Sequence, residues 1–182
     1  MIEIRLHGRG GQGAVTSAEL LALAAIEQGK YAQAFPSFGP ERRGAPVVAF
    51  CRIDDKPIRL RTNIYNPDLV LVLDSSILRL VNVTAGLKDD GTIVTTTKYS
   101  GKEIREELGI KHRLGTINAI SIAMEELGLP ITNTTMLGAL LKAREVVPHE
   151  ALIDPLNNRF GRIAEKNIRA YRRAYEETQL ID

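Results

Sequence analysis

Tryptophan is absent from the 182-residue sequence, and phenylalanine and tyrosine together make up only 5% of it. Proteins that hold single-stranded nucleic acids stack bases on aromatic side chains, so this scarcity argues against such a platform. The net charge of +2 is too small to indicate nucleic acid by itself. We therefore expect no nucleic-acid partner.

Cysteine is nearly absent as well, because Cys51 stands alone and cannot form an internal disulfide. The sequence also lacks any run of about 18 apolar residues, the length at which a membrane-spanning helix becomes a candidate. Met1 leads directly into an alternating, strand-like segment instead of a basic and then apolar leader. These features predict a cytoplasmic chain without a membrane partner.

The composition that is present, 44% apolar and 25% charged residues, is typical of a globular protein. At about 100–200 residues per domain, residues 1–182 are expected to form a single domain. Strand-like and helical patterns alternate in the first half, and helices close the second half. We predict an α/β fold of three layers, a Rossmann-like domain with a mixed, mainly parallel sheet and a C-terminal helical segment.

Periodicity and turn residues place the individual elements. Two predicted strands, 46–53 and 58–61, are separated by a turn and should form an antiparallel hairpin. The other predicted strands are 2–7, 30–35, 68–74 and 92–96. The predicted helices are 14–28, 75–83, 101–108, 116–127, 133–144, 150–160 and 161–178.

A glycine-rich segment joins the first predicted strand to the first predicted helix. It carries the pattern G-x-G-x-x-G, in which glycines let the backbone turn sharply and let a phosphate approach it. The helix N-terminus behind such a loop offers free N–H groups and a partial positive charge. We predict that this segment binds a phosphate-bearing cofactor through Gly8, Arg9, Gly10, Gly11, Gln12 and Gly13.

Two features argue against a dinucleotide as that ligand. The acidic residue that would bind a ribose is expected about 20 positions further on, where the sequence reads Gln33, Ala34 and Phe35. Arg9 also places a cation inside the loop, which favours a diphosphate or an acidic group of a partner. The alternative, that the glycines only let the strand and the helix cross closely, stays open at this point.

A second loop, residues 35–44, combines two aromatic residues, two prolines and a pair of arginines. Guanidinium groups suit phosphate or carboxylate ligands because they donate paired hydrogen bonds and are weakly hydrated. Arg42 and Arg43 are therefore predicted to join the cofactor-binding residues. The alternative is an exposed loop whose arginines pair with Glu41 or another acid.

These segments together resemble a known family. The run G-R-G-G-Q-G at 8–13, the run S-F-G-P-E-R-R-G at 37–44 and the apolar segment 47–51 are similar to the gamma subunit of 2-oxoacid:ferredoxin oxidoreductases, pyruvate synthase in particular. The resemblance implies a single gamma-type domain within a heterotetramer. That enzyme converts pyruvate, coenzyme A and oxidised ferredoxin into acetyl-CoA, carbon dioxide and reduced ferredoxin.

The resemblance also implies a division of labour among subunits. Thiamine diphosphate, magnesium and iron–sulfur clusters would belong to the alpha, beta and ferredoxin-like delta partners. The gamma chain would be inactive alone, without catalytic residues or metal ligands, and a candidate contributor to subunit contacts and to the region of the co-substrate coenzyme A. The corresponding subunit of a 2-oxoglutarate, branched-chain oxoacid or indolepyruvate enzyme is one alternative, and a free-standing nucleotide-binding module is another.

The sequence lacks the motifs of those cofactors. A thiamine diphosphate domain of this family would show Gly-Asp-Gly and then a paired asparagine. The segment 89–91 lacks the first glycine, and the pair Asn157–Asn158 is too distant. An iron–sulfur cluster needs several cysteine thiolates, and this chain has one.

Three further features allow two interpretations each. His7 could be a packed residue or a phosphate contact, and Asp74 could be a helix cap or a carboxylate of the site. A basic stripe near the C-terminus could be a solvated helix face or could dock on an acidic surface of another subunit. The stripe consists of Arg159, Arg162, Lys166, Arg169 and Arg173.

Overall fold

The computed structural model describes residues 1–37 and 43–182. Its strands are β1 (Ile2–Arg9), β2 (Tyr31–Pro36), β3 (Pro46–Asp54), β4 (Leu69–Val72), β5 (Thr92–Thr96), β6 (Arg113–Ile117) and β7 (Gln179–Ile181). Its α-helices are α1 (Ala14–Glu27), α2 (Ile77–Leu80), α3 (Gly101–Leu108), α4 (Ala119–Leu127), α5 (Asn133–Ala143), α6 (Ile153–Phe160) and α7 (Ala164–Glu177). Short 3-10 helices precede α6 and α7. Within residues 1–37 and 43–182, no helix has the length and apolarity needed to cross a membrane.

The strands form one sheet in the order β2-β3-β1-β4-β5-β6-β7. The neighbours β1, β4, β5 and β6 run parallel, whereas β3 is antiparallel to β1 and β2, and β7 is antiparallel to β6. Strands β1, β2, β4, β5 and β6 therefore share one direction. The predicted mixed, mainly parallel α/β sheet is confirmed.

Helices cover both faces of the sheet, which gives the three predicted layers. On one face, Ile4 and Leu6 of β1 point into the larger core, which also contains residues of α1, α5 and α7. On the other face, Val70 and Val72 of β4 pack with apolar residues that include those of α2 and α3. Because successive strand residues point to opposite faces, the continuous apolar run of β4 serves both cores.

The predicted hairpin is wrong. Residues 58–61 form no strand, and β3 instead lies between β1 and β2, which occupy both of its edges. Helix 75–83 is also shorter than predicted, because the backbone becomes extended at Val81. The strands β6 and β7 are additional to the predicted ones: the end of β6 overlaps the predicted helix 116–127, and β7 has only three residues.

Two arginines of the basic stripe, both in the C-terminal helix α7, form ion pairs within the chain. Arg169 pairs with Glu126 and Glu165 at 3.0 and 2.9 Å. Arg173 pairs with both Glu125 and Glu126 of α4, at 2.8 and 3.0 Å. These hydrogen bonds raise the pKa of Arg173 far above its usual value. The two arginines therefore join α7 to α4, and exposed pairs of this kind contribute up to about 1 kcal/mol each.

Backbone-to-backbone contact between α5 and α7 depends on Gly138. A Cβ atom at this position would collide with the carbonyl oxygen of Tyr171 and would lie 2.9 Å from the backbone nitrogen of Tyr175. We expect Gly138→Ala to lower the free energy of unfolding by about 1–3 kcal/mol, since neither backbone can yield without separating the helices. In an unobstructed helix interior the same change would raise it by up to about 1 kcal/mol. Urea denaturation distinguishes the two signs, and an unchanged or raised stability would contradict the contact.

Candidate ligand-binding site

The glycine loop lies at the carboxyl end of β1, beside the end of its parallel neighbour β4. The chain leaves β1 toward α1 on one face of the sheet and leaves β4 toward α2 on the other face. Ligands of open α/β sheets bind in the crevice where the connections diverge in this way. The loop therefore occupies the position in the fold where a ligand is expected.

The glycines allow both a sharp turn and a close crossing. Gly11 and Gly13 have φ angles of +91° and +81°, in the left-handed region that other residues rarely adopt. A Cβ atom at Gly13 would lie 2.5 Å from Nδ2 of Asn133 in α5, and one at Gly8 would lie 3.4 Å from Leu73. The packing explanation therefore holds at Gly13, whereas a Cβ at Gly8 would make only ordinary contacts and at Gly11 the space around a Cβ would be open.

The side chains of Arg9 and Gln12 turn back over the loop. Gln12 accepts a hydrogen bond from the backbone N–H of Arg9 (2.6 Å) and donates one to Asp74 (2.9 Å). The Arg9 guanidinium donates to Ser76 Oγ and to the carbonyl of Gly44, and its Nε lies 3.3 Å from Asp74. In this structure both side chains therefore shape the loop, and the charge of Arg9 is balanced by a carboxylate of the same chain.

Asp74 serves as the turn-forming residue before α2 and as the partner of the loop. Its Oδ1 accepts from the backbone N–H and the hydroxyl of Ser76, at 2.9 and 2.6 Å. Partial burial acts to raise the pKa of this carboxyl. The hydrogen bonds from Ser76 and Gln12 and the charge of Arg9 outweigh that effect and hold the pKa below its usual value. Asp74 is therefore ionised at neutral pH.

A cleft of about 490 Å³ opens beside the loop at the N-terminus of α1. The N-cap residue of α1 is Gly13, which has no side chain to cap the first turn. The N–H groups of that turn have no partners within the helix, and together with the helix dipole they attract an anion. The cleft is lined by Arg9, Gly11, Gly13, Ala14, Val15, Thr16, Pro36 and Val47.

The end of the second loop, residues 43–45, lies against the glycine loop. Gly10 donates a backbone hydrogen bond to Ala45 (2.8 Å) and accepts one from Gly44 (3.1 Å). Arg43, which is exposed, forms an isolated bridge with Gly10. The structure thus brings Arg43 next to the glycine loop, 33 positions away in sequence from Gly10, whereas Arg42 lies outside the described residues.

The residues present do not fit an iron–sulfur cluster. Cys51, the chain's sole cysteine, is fully buried in β3, and burial raises the pKa of its thiol to about 12. Cluster ligation needs several thiolates. Among the residues that the structure describes, no group of three or more His, Cys, Asp and Glu side chains is placed to hold a metal ion.

His7 is a packed residue of β1. It is 6% exposed, and its Nε2 accepts a hydrogen bond of 3.0 Å from Nε of Arg5. Burial, and to a lesser extent the charge of Arg5, lowers the pKa of His7 to about 4. The imidazole is therefore neutral at physiological pH and carries no charge toward the cleft.

Comparison with known proteins places the chain among oxidoreductase subunits. A family model described as pyruvate ferredoxin/flavodoxin oxidoreductase matches residues 3–177. The chain is 55% identical to the pyruvate/ketoisovalerate oxidoreductases common subunit gamma of Pyrococcus furiosus over 100% of both chains. It is 53% identical to the pyruvate synthase subunit PorC of Methanothermobacter thermautotrophicus, over 100% of this chain and 98% of the relative. The crystal structure of pyruvate oxidoreductase subunit PORC from Thermotoga maritima superposes with a TM-score of 0.89 at 38% identity, covering 100% of this chain and 98% of that one.

Two glycine substitutions separate turn geometry from packing. Gly11→Ala and Gly13→Ala both force a side chain into the left-handed region, at a cost of about 1–2 kcal/mol. Only Gly13→Ala also meets Asn133, so we expect it to lower the free energy of unfolding by about 1–3 kcal/mol more. An Asn133→Ala background should reduce that difference in urea denaturation. Equal losses for the two glycine variants would contradict the crossing contact.

The buried imidazole predicts a pH-dependent stability. Between pH 6.5 and about 4 the unfolded chain binds a proton at His7 that the folded chain does not. Hence the free energy of unfolding falls as the pH drops through this window. From pH 7.5 to 5 we expect a loss of about 2 kcal/mol that His7→Gln, which keeps an acceptor for Arg5, does not show. His112→Gln is the control that retains the slope, and an identical slope in His7→Gln would contradict the assignment.

Proposed function

This chain belongs to the pyruvate ferredoxin/flavodoxin oxidoreductase family as a gamma-type subunit, and we propose that its complex oxidises pyruvate. In that reaction pyruvate and coenzyme A become acetyl-CoA and carbon dioxide, and ferredoxin is reduced. The full-length match to named subunits carries this proposal. It favours a subunit of an oxidoreductase complex over a free-standing nucleotide-binding module.

The redox and decarboxylation chemistry then belongs to the partners. Thiamine diphosphate, magnesium and iron–sulfur clusters would be bound by alpha, beta and ferredoxin-like delta subunits in a cytoplasmic heterotetramer. The donor set of this chain supports that division, because one buried cysteine cannot ligate a cluster. When bound in the partners, these groups supply the electron sink for decarboxylation and the path for electrons to ferredoxin.

A branched-chain oxoacid enzyme is the second candidate. The relative from Pyrococcus furiosus is named as a gamma subunit common to pyruvate and ketoisovalerate oxidoreductases. A chain shared by two such enzymes cannot carry the contacts that distinguish their oxoacids. The oxoacid pocket would therefore lie with the thiamine cofactor in another subunit, and one gamma chain could serve both reactions.

The proposed contribution of this chain to turnover is a phosphate-binding surface for coenzyme A. The cleft presents the uncapped first turn of α1, and Arg43 lies exposed at the adjoining loop. Arg9 is already balanced by Asp74, so the helix N-terminus and the second loop would supply the positive potential. Gly8, Gly10, Gly11, Gln12 and Gly13 would shape the surface, and Arg42 of the same loop would add to it.

Arg43→Ala in the reconstituted complex tests this surface. Loss of one charge-assisted hydrogen bond costs about 1.5–3 kcal/mol, so the apparent KM for coenzyme A should rise about tenfold or more. The KM for pyruvate should stay nearly constant, because the oxoacid binds elsewhere. Steady-state kinetics with each substrate varied in turn measure both constants.

Lys102→Ala, which removes an exposed cation from α3, is the control. Sedimentation of each variant complex establishes that assembly is intact before its kinetics are compared. An intact Arg43→Ala complex with unaltered coenzyme A dependence would exclude the loop from that site. Loss of the complex without a selective effect on coenzyme A would assign Arg43 to a subunit contact instead.

A further inference from the structure

The outer edge of β2 carries backbone groups that the described residues leave unpaired. Ser37 donates to the carbonyl of Val48 at 2.8 Å, which marks a hydrogen-bonded pair in the register of β2 and β3. Such pairs alternate along antiparallel strands, so residues 31, 33 and 35 also face β3. The N–H and C=O groups of Ala32 and Ala34 consequently point away from the sheet, where β2 is the terminal strand.

A groove of about 540 Å³ borders this edge. The side chains of Ala32 and Ala34 pack toward the core that α1 covers, so they do not screen their own backbone groups from the groove. Proteins usually protect such an edge with a lysine, a proline or a covering segment. Within β2 only Pro36, at its end, has that effect. The groove is lined by Ala32, Gln33, Ala34, Phe35, Leu60 and Arg61.

The charges beside the groove indicate what kind of segment fits it. Arg59 and Arg61 are exposed on the segment that flanks β2. Nearby carboxylates are already engaged, Asp55 with Lys30 at 2.7 Å and Glu3 with Arg52 at 2.8 Å. Leu60 is 45% exposed between the two arginines. The edge thus combines unpaired backbone donors and acceptors, two cations and an apolar contact.

We propose that the edge of β2 binds an extended, acidic segment of a partner subunit, which adds a strand to the sheet. Main-chain hydrogen bonds to Ala32 and Ala34 would hold the segment, and its carboxylates would face Arg59 and Arg61. A second copy of this chain fits less well, because two paired β2 edges would bring the same arginines of both copies together. The inference rests on the proposed function only in requiring a multi-subunit complex.

Amide hydrogen exchange of the free chain and of the assembled complex tests the pairing directly. We expect the amides of Ala32 and Ala34 to exchange at least tenfold more slowly in the complex, because each would become a ladder donor. The amide of Gln33, already bonded to β3, is the internal reference and should change less. Unchanged exchange at Ala32 and Ala34 on assembly would overturn the proposal.

Two variants test the backbone and charge contributions separately. Ala34→Pro removes one outward donor while leaving the β3 ladder in place, since proline is tolerated on edge strands. It should weaken binding to the partner subunits at least tenfold. The double variant Arg59→Glu/Arg61→Glu should slow association about tenfold and reduce its dependence on ionic strength. Lys111→Glu reverses an exposed charge near the opposite edge of the sheet and should leave binding unchanged.

A folding control and two further outcomes complete the test of the β2 edge. Circular dichroism establishes whether Ala34→Pro folds, and the charge variants and the exchange experiment stand without it. Protection of Ala32 and Ala34 that grows with concentration in the isolated chain, together with a dimer in sedimentation, would overturn the proposal in favour of a second copy. An intact complex whose coenzyme A kinetics respond to Arg43→Ala, but whose β2 edge shows no protection, would overturn this inference alone.

Discussion

The carboxylate of Asp74 fixes the shape of the glycine loop. It receives hydrogen bonds from Gln12 and Ser76 and balances the charge of Arg9. One carboxylate can do this because β1 and β4 are parallel neighbours whose ends meet at the same edge of the sheet. The arrangement engages the side chains of Arg9 and Gln12 with partners inside the chain. Arg9 lines the cleft, but its charge is already balanced by Asp74, so the anion-attracting groups there are the backbone N–H groups of the first turn of α1.

Local pattern was enough to predict the strand–loop–helix unit that carries the site. The alternation of residues 2–7, the glycine spacing and the following apolar helix are all encoded within 30 positions. The inward turn of Arg9 was not predictable, because its partner Asp74 is 65 positions away. Similarly, Gly13 looks like a phosphate-loop glycine in the sequence, and only the fold shows that Asn133 packs against it.

The errors in the predicted fold have the same origin. Two strand-like segments separated by a turn favoured a hairpin between 46–53 and 58–61. In the structure β3 instead pairs with β1 and β2, whose residues precede it in the chain. Strand order is decided by which faces can be buried together, and α1 brings β2 beside β3 by packing on both. The residues left out of the sheet, 58–61, then lie along β2, where Gln33 donates to the carbonyl of Ile58.

Strand β2 borders both the cleft at α1 and the groove at the sheet edge. Its end contributes Pro36 to the cleft at α1, and its middle contributes Ala32 and Ala34 to the groove at the sheet edge. Proline donates no hydrogen bond, so a strand added to β2 would lose a ladder bond at Pro36. The partner segment would therefore leave the sheet beside the cleft.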